Sequence, residues 1–83
     1  MIKTLEGTAK YMTSTDYKER FLAEYWQLQI RCDKLKAMIE KWDNGKLDFT
    51  PTCPRSTYTW QLKAMEDYLQ ALKARANMEH IDL

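Results

Sequence analysis

Residues 17–42 read YKERFLAEYWQLQIRCDKLKAMIEKW, with no glycine or proline, and their apolar spacing decides the fold. Phe21, Tyr25, Leu28, Cys32, Leu35, Ile39 and Trp42 follow one another at intervals of 4, 3, 4, 3, 4 and 3. Alternating steps of this kind return to one face of an α-helix and predict a seam packed along a second helix. Asp16 is a natural cap, and Glu19 stands three residues on, where a capping box places it. Asn44-Gly45 supplies a left-handed stop. A helix over residues 16–43 is about 40 Å long.

The pattern recurs downstream. Tyr58, Leu62, Met65, Leu69, Leu72 and Ala76 are spaced 4, 3, 4, 3 and 4, within a second long segment free of glycine and proline. Pro54 suits the first turn of this helix, with Cys53 or Thr52 before it or Ser56 as an alternative cap. A linker of about ten residues folds the helix back on its predecessor as an αα-hairpin. Leu47 and Phe49 alternate with polar residues and are expected to cover the hairpin's end. Ahead of the hairpin, Ile2, Leu5, Ala9 and Met12 share one helical face, which Gly7 weakens. The expected architecture is all-α: a short N-terminal helix within residues 1–12, packed on a long antiparallel hairpin of helices 16–43 and 54–80.

Composition narrows the function. The chain has 83 residues, enough for a single helical domain, with 45% hydrophobic residues and only two glycines and two prolines. Thirteen basic and twelve acidic residues leave a net charge of +1, too little for a duplex-DNA binder, which carries a strong basic excess. Two cysteines, Cys32 and Cys53, make no disulfide framework, and with the single His80 they make no four-ligand metal site. No cofactor is expected. No apolar run reaches the ~18 residues of a membrane span, and the first residues do not read as a signal peptide. A soluble, intracellular chain follows as the expectation.

One seam per helix suffices for a hairpin, yet this sequence has more. Leu22, Trp26 and Ile30 form a second ridge on the first long helix, and Trp60, Ala64, Tyr68, Ala71 and Met78 lie off the seam of the other. A surplus of this kind on so small a chain marks an interface, and self-association is the expectation. A helical module that inhibits a partner protein through the tryptophan ridge is the alternative.

No catalytic motif is present: no glycine-rich phosphate loop, no paired histidines at metal spacing, no HExxH. A Cys–His dyad with His80 is disfavoured, because Cys32 falls on the apolar seam, where a thiolate is costly. The chain reads as a non-enzyme. The suggestive residues are aromatic and cationic. Lys10 and Tyr11 close the N-terminal segment, and Tyr17, Lys18 and Arg20 open the next helix. A turn between them brings the two groups together at a helix start, which favours anions. Tyrosines stack on bases and cations pair with phosphates, so a nucleotide site is readable here; a helix-start staple with solvated cations is the structural reading of the same residues. Arg31, Lys34 and Arg75 lie further along the two helices, with Glu66, Asp67 and Glu79 available to pair with them.

The run Tyr17-Lys18-Glu19-Arg20-Phe21-Leu22-Ala23-Glu24-Tyr25-Trp26-Gln27-Leu28, with Lys34-Leu35 and Met38-Ile39, resembles a small-protein family related to a crAss-like phage product. Gln61-Leu62, Ala64-Met65, Tyr68-Leu69, Leu72 and Arg75 extend the likeness to about 60 residues. The same pattern is similar to the phage anti-CBASS sponges typified by anti-CBASS protein two. The resemblance implies a compact homo-oligomer, typically a hexamer, that binds cyclic dinucleotides and in some members cyclic trinucleotides without cutting them. It implies action in the cytoplasm of the infected bacterium, where the bound messenger no longer switches on the host's CBASS effector. Carried onto this sequence, Tyr11 is the candidate base-stacker and Lys18, Arg20 or Arg31 the candidate phosphate cation, with Tyr17 beside them. Arg75 is the candidate for a second, trinucleotide-type site where C-terminal helices meet. The Thr50-Pro51-Thr52-Cys53-Pro54 linker departs from the sponges, which leaves the ligand open to a different signal such as a cyclic ADP-ribose type molecule.

Overall fold

The computed structural model describes residues 1–83 and holds three helices and no strand: α1 (Leu5–Met12), α2 (Tyr17–Asp43) and α3 (Arg55–Glu79). Thr4 caps α1 by accepting the Gly7 N–H on its hydroxyl at 2.9 Å. At α2, Asp16 Oδ1 accepts the Lys18 N–H at 2.9 Å. The expected reciprocal box does not close directly. Glu19 instead accepts the Ser14 hydroxyl at 2.5 Å, and Ser14 Oγ accepts the Asp16 N–H at 3.0 Å, so a serine relays between carboxylate and cap. α3 starts at Pro54 with no side-chain cap, and the Ser56 alternative is not used; Thr57 N–H bonds to the Pro54 carbonyl at 3.0 Å.

Both long helices end in a six-to-one bond around a left-handed residue. Gly45 (φ 69°) closes α2, with Gly45 N–H on Trp42 O at 3.0 Å and Lys46 N–H on Lys41 O at 2.8 Å. His80 (φ 58°) closes α3, with Ile81 N–H on Ala76 O at 2.9 Å. This second turn brings Ile81 into the core beside Ala76.

α2 is central: α1 and α3 each pack on it and not on each other. The antiparallel register is fixed at one end by Tyr17 against Glu79 and at the other by Trp42 against Tyr58, whose ring centroids are 5.6 Å apart. Phe21, Tyr25, Cys32, Leu69, Leu72, Ala76 and Ile81 form the buried core, with Leu22, Trp26, Leu28, Leu62 and Met65 packed against it. The Leu22–Trp26–Ile30 ridge is therefore not left in water. All three residues are half-buried, and Leu22 and Trp26 belong to the margin of the core. Thr8 and Ala23 are buried as well, Thr8 bonding its hydroxyl to the Leu5 carbonyl at 2.6 Å. Leu47 is half-buried, but Phe49 is 54% exposed, so only Leu47 covers the hairpin's end. The large apolar exposure lies on α3, where Trp60 is 75% and Met78 69% exposed. No helix is long and apolar enough to cross a membrane.

Candidate functional site

Antiparallel folding brings the first turn of α2 against the last turns of α3. At this open end the Tyr17 hydroxyl donates to Glu79 Oε1 at 2.6 Å, and Arg75 Nη2 donates to the Tyr17 oxygen at 2.8 Å. Arg75 Nε donates to Glu79 Oε2 at 3.2 Å, across one helical turn. The Arg75 guanidinium lies 5.1 Å from the Phe21 ring centroid, and the Arg20 guanidinium 5.9 Å from that of Tyr17. Tyr17 meets Phe21 edge-on at 6.4 Å. Arg20 is steadied by a 2.7 Å bond from Nη1 to the Ser14 carbonyl. Two guanidinium groups and the exposed Tyr17 ring thus share one end of the hairpin, with the Phe21 ring buried beneath Arg75.

The electrostatics follow from these contacts. Hydrogen bonding to Glu79 pushes the Tyr17 phenol above its ordinary range. The Tyr17 hydroxyl, helped by Arg75, holds the Glu79 carboxyl below the usual carboxylate range. The Glu79 carboxylate in turn raises Arg75. The cluster is ionic and closed on itself, and it stays open to solvent.

Tyr11 belongs to a different place. It is half-buried in a shallow concavity of about 240 Å³ lined by Met1, Ile2, Lys3, Gly7, Lys10 and Tyr11. The Lys10 ammonium lies 5.6 Å from the Tyr11 ring centroid. Gly7 leaves room for this concavity. A Cβ there would come to 3.0 Å from Thr4 Oγ1 and 3.1 Å from Ile2 Cγ2, so with any larger residue the Thr4 or Ile2 side chain would have to give by a few tenths of an ångström.

The structure therefore brings together Tyr17, Arg20 and Arg75, the last of which the sequence reading assigns to a separate second site. Lys18 and Arg31 are exposed and enter no ion pair. Phe21 as the platform beneath Arg75 is not evident from sequence, because it reads as a seam residue. The i, i+4 spacing of Arg75 and Glu79 is the one readable signal for the carboxylate. A groove of about 220 Å³ at the other end, lined by Lys34, Ala37, Met38, Lys41, Leu47, Asp48 and Phe49, has no counterpart in the sequence reading.

Residues 15–78 match the family model of Sequestin, a span that takes in α2, the linker and nearly all of α3. The chain belongs to the Sequestin family. The family's name suggests a sequestering role. Neither a curated protein nor a solved structure was found to match the chain. In this Sequestin-family chain, Tyr17, Lys18, Arg20, Arg31 and Arg75 lie inside the matched span, and Tyr11, on α1, lies outside it.

Proposed function

We propose that this Sequestin-family chain is a phage-encoded immune-evasion protein. It binds cyclic oligonucleotide second messengers, cyclic dinucleotides and by extension trinucleotides, and holds them without cleavage, so that a CBASS-type defence stays unlit. The observation that carries this reading is the convergence of Tyr17, Arg20 and Arg75 at the open end of the hairpin, above the buried Phe21 ring, in a chain of the Sequestin family. Aromatic faces take bases, and guanidinium forks take phosphodiesters. Tyr11, with Lys10 and Lys3, offers a second aromatic–cation surface, and Lys18 and Arg31 are cations without intramolecular partners.

The working form is a homo-oligomer, with a hexamer as the expected order, and the ligand lies in clefts shared between subunits. Two features support this. The open concavities of one subunit are shallow, and Trp60 is 75% exposed on a helix face that nothing in the chain covers. The test is binding by variants. Tyr11→Ala and Arg75→Ala are expected to lose retention of cyclic oligonucleotides while the oligomer persists, and ligand released by heating the unaltered protein is expected to be chemically intact. Retention by both variants, or recovery of linear product, contradicts the reading. The exposed Trp60 face favours one other reading, an inhibitory module docked on a host protein, and a stable monomer that retains no nucleotide selects it.

A further inference from the structure

Glu79 stands where helix electrostatics disfavour it. It is in the last turn of α3, a turn with no basic residue, where free carbonyls carry partial negative charge and repel a carboxylate. What compensates is a fork of donors from both helices. The Tyr17 hydroxyl bonds one carboxylate oxygen at 2.6 Å, and Arg75 Nε bonds the other at 3.2 Å. Arg75 Nη2, at 2.8 Å from the Tyr17 oxygen, locks the two donors together, and Phe21 lies 5.1 Å from the guanidinium carbon. A guanidinium presenting parallel donors, with a hydroxyl beside it, matches a phosphate as well as a carboxylate. The side chains of Arg75 and Glu79 are 46% and 35% exposed, so solvent reaches the pair, and an ion pair held in water is readily exchanged.

We infer that the Tyr17–Arg75 fork is an oxyanion seat, that the Glu79 carboxylate is its resident stand-in, and that a phosphodiester enters by displacing Glu79. The seat rests on geometry alone; that its natural occupant is a phosphodiester rests on the sequestration reading. Displacement sets a threshold for binding: an anion must hold the fork better than a carboxylate tethered one turn away. A neutral ligand does not release Glu79, and the seat selects for charge.

Inorganic pyrophosphate is the probe, titrated into the full chain while the Nε–Hε resonance of Arg75 is followed by NMR. A saturable shift of that resonance is expected. Glu79→Gln, which removes the competing charge, binds the probe on the order of tenfold tighter. Arg75→Lys keeps the charge but lacks the fork, and by calorimetry it is expected to bind pyrophosphate at least about tenfold more weakly than the unaltered chain; Tyr17→Phe weakens binding as well. If Glu79→Gln binds pyrophosphate no tighter than the unaltered chain, or if the Arg75 resonance does not move, the seat is overturned. A panel of cyclic di- and trinucleotides on the same variants separates the two readings. Pyrophosphate seated at Arg75 with no member of the panel retained leaves the seat standing and removes the sequestration reading. A cyclic dinucleotide held equally by the unaltered chain, Glu79→Gln and Arg75→Lys removes the seat and leaves sequestration standing.

Discussion

Cys32 and Cys53 are chemically alike and physically opposite. Cys32 is 0% exposed in the core, and burial pushes its thiol up, whereas Cys53 is exposed in the linker. Iodoacetamide at mild pH is expected to add once to the native protein, at Cys53, and twice after unfolding; two additions without unfolding would contradict the packing of α3 on α2. His80 is the other residue with a sharp expectation. It holds a left-handed backbone at φ 58° that suits glycine better than any residue with a Cβ. His80→Gly is expected to raise stability by about 1 kcal/mol, read as a higher denaturant midpoint with an unchanged slope. At this scale the sequence was legible where a residue's role is local. Cys32 on the seam and Gly45 at the stop were readable from their neighbours. His80 was not, because a left-handed histidine has no compositional signature, and Ser14 was missed because the Glu19 relay needs a third residue that no two-residue capping motif names.

Between elements, the seam of α2 and α3 carries the stability. Leu72 is 1% exposed in the middle of the core, and Leu72→Ala is expected to cost about 3 kcal/mol in urea unfolding. The linker has its own clasp. Arg55 Nε and Nη2 each lie 3.0 Å from one oxygen of Asp43, joining the end of α2 to the start of α3, while the guanidinium lies 5.9 Å from the Trp42 ring centroid. The Arg55 hydrogen bonds hold the Asp43 carboxyl below its ordinary range. A carboxyl depressed on folding contributes stability above its unfolded pKa and loses that contribution as pH falls through its folded value. Acid is therefore expected to loosen the clasp below the ordinary carboxylate range, and an Asp43→Asn variant is expected to lack that part of the pH dependence. The hairpin itself was legible because two seams of alternating spacing leave little choice of partner. The contact of Arg75 with Tyr17 was not. It depends on the register of one helix against the other, which linker geometry sets and which spacing within either helix leaves open.

The whole molecule is long and open. It measures 43 × 24 × 18 Å, with a radius of gyration of 14.9 Å, against about 12 Å for a compact chain of this length. Its accessible surface is 5998 Å², against about 5,200 Å² expected for a monomer of this mass, an excess on the scale of the ~800 Å² one partner gives to a standard interface. Only 10 of 83 residues are buried, in keeping with this open shape. The surplus of apolar residues was readable in the sequence on both long helices, with Trp60, Tyr68 and Met78 among those named, but which of the two sets the fold covers was not. The ridge of Leu22, Trp26 and Ile30 is taken up at the margin of the core, and the uncovered face is that of Trp60 on α3. Trp60→Lys is expected to shift the protein toward monomer in sedimentation velocity without loss of helical content; an unchanged sedimentation coefficient would place the interface elsewhere.

The proposed sequestration joins these scales, since it draws on a cleft shared between subunits and a charged seat. Native mass spectrometry of the purified protein, alone and with cyclic di- and trinucleotides and cyclic ADP-ribose isomers, tests that claim most directly. A discrete oligomer carrying ligand of unaltered mass is the expected result. A monomer that retains none of the panel would contradict it.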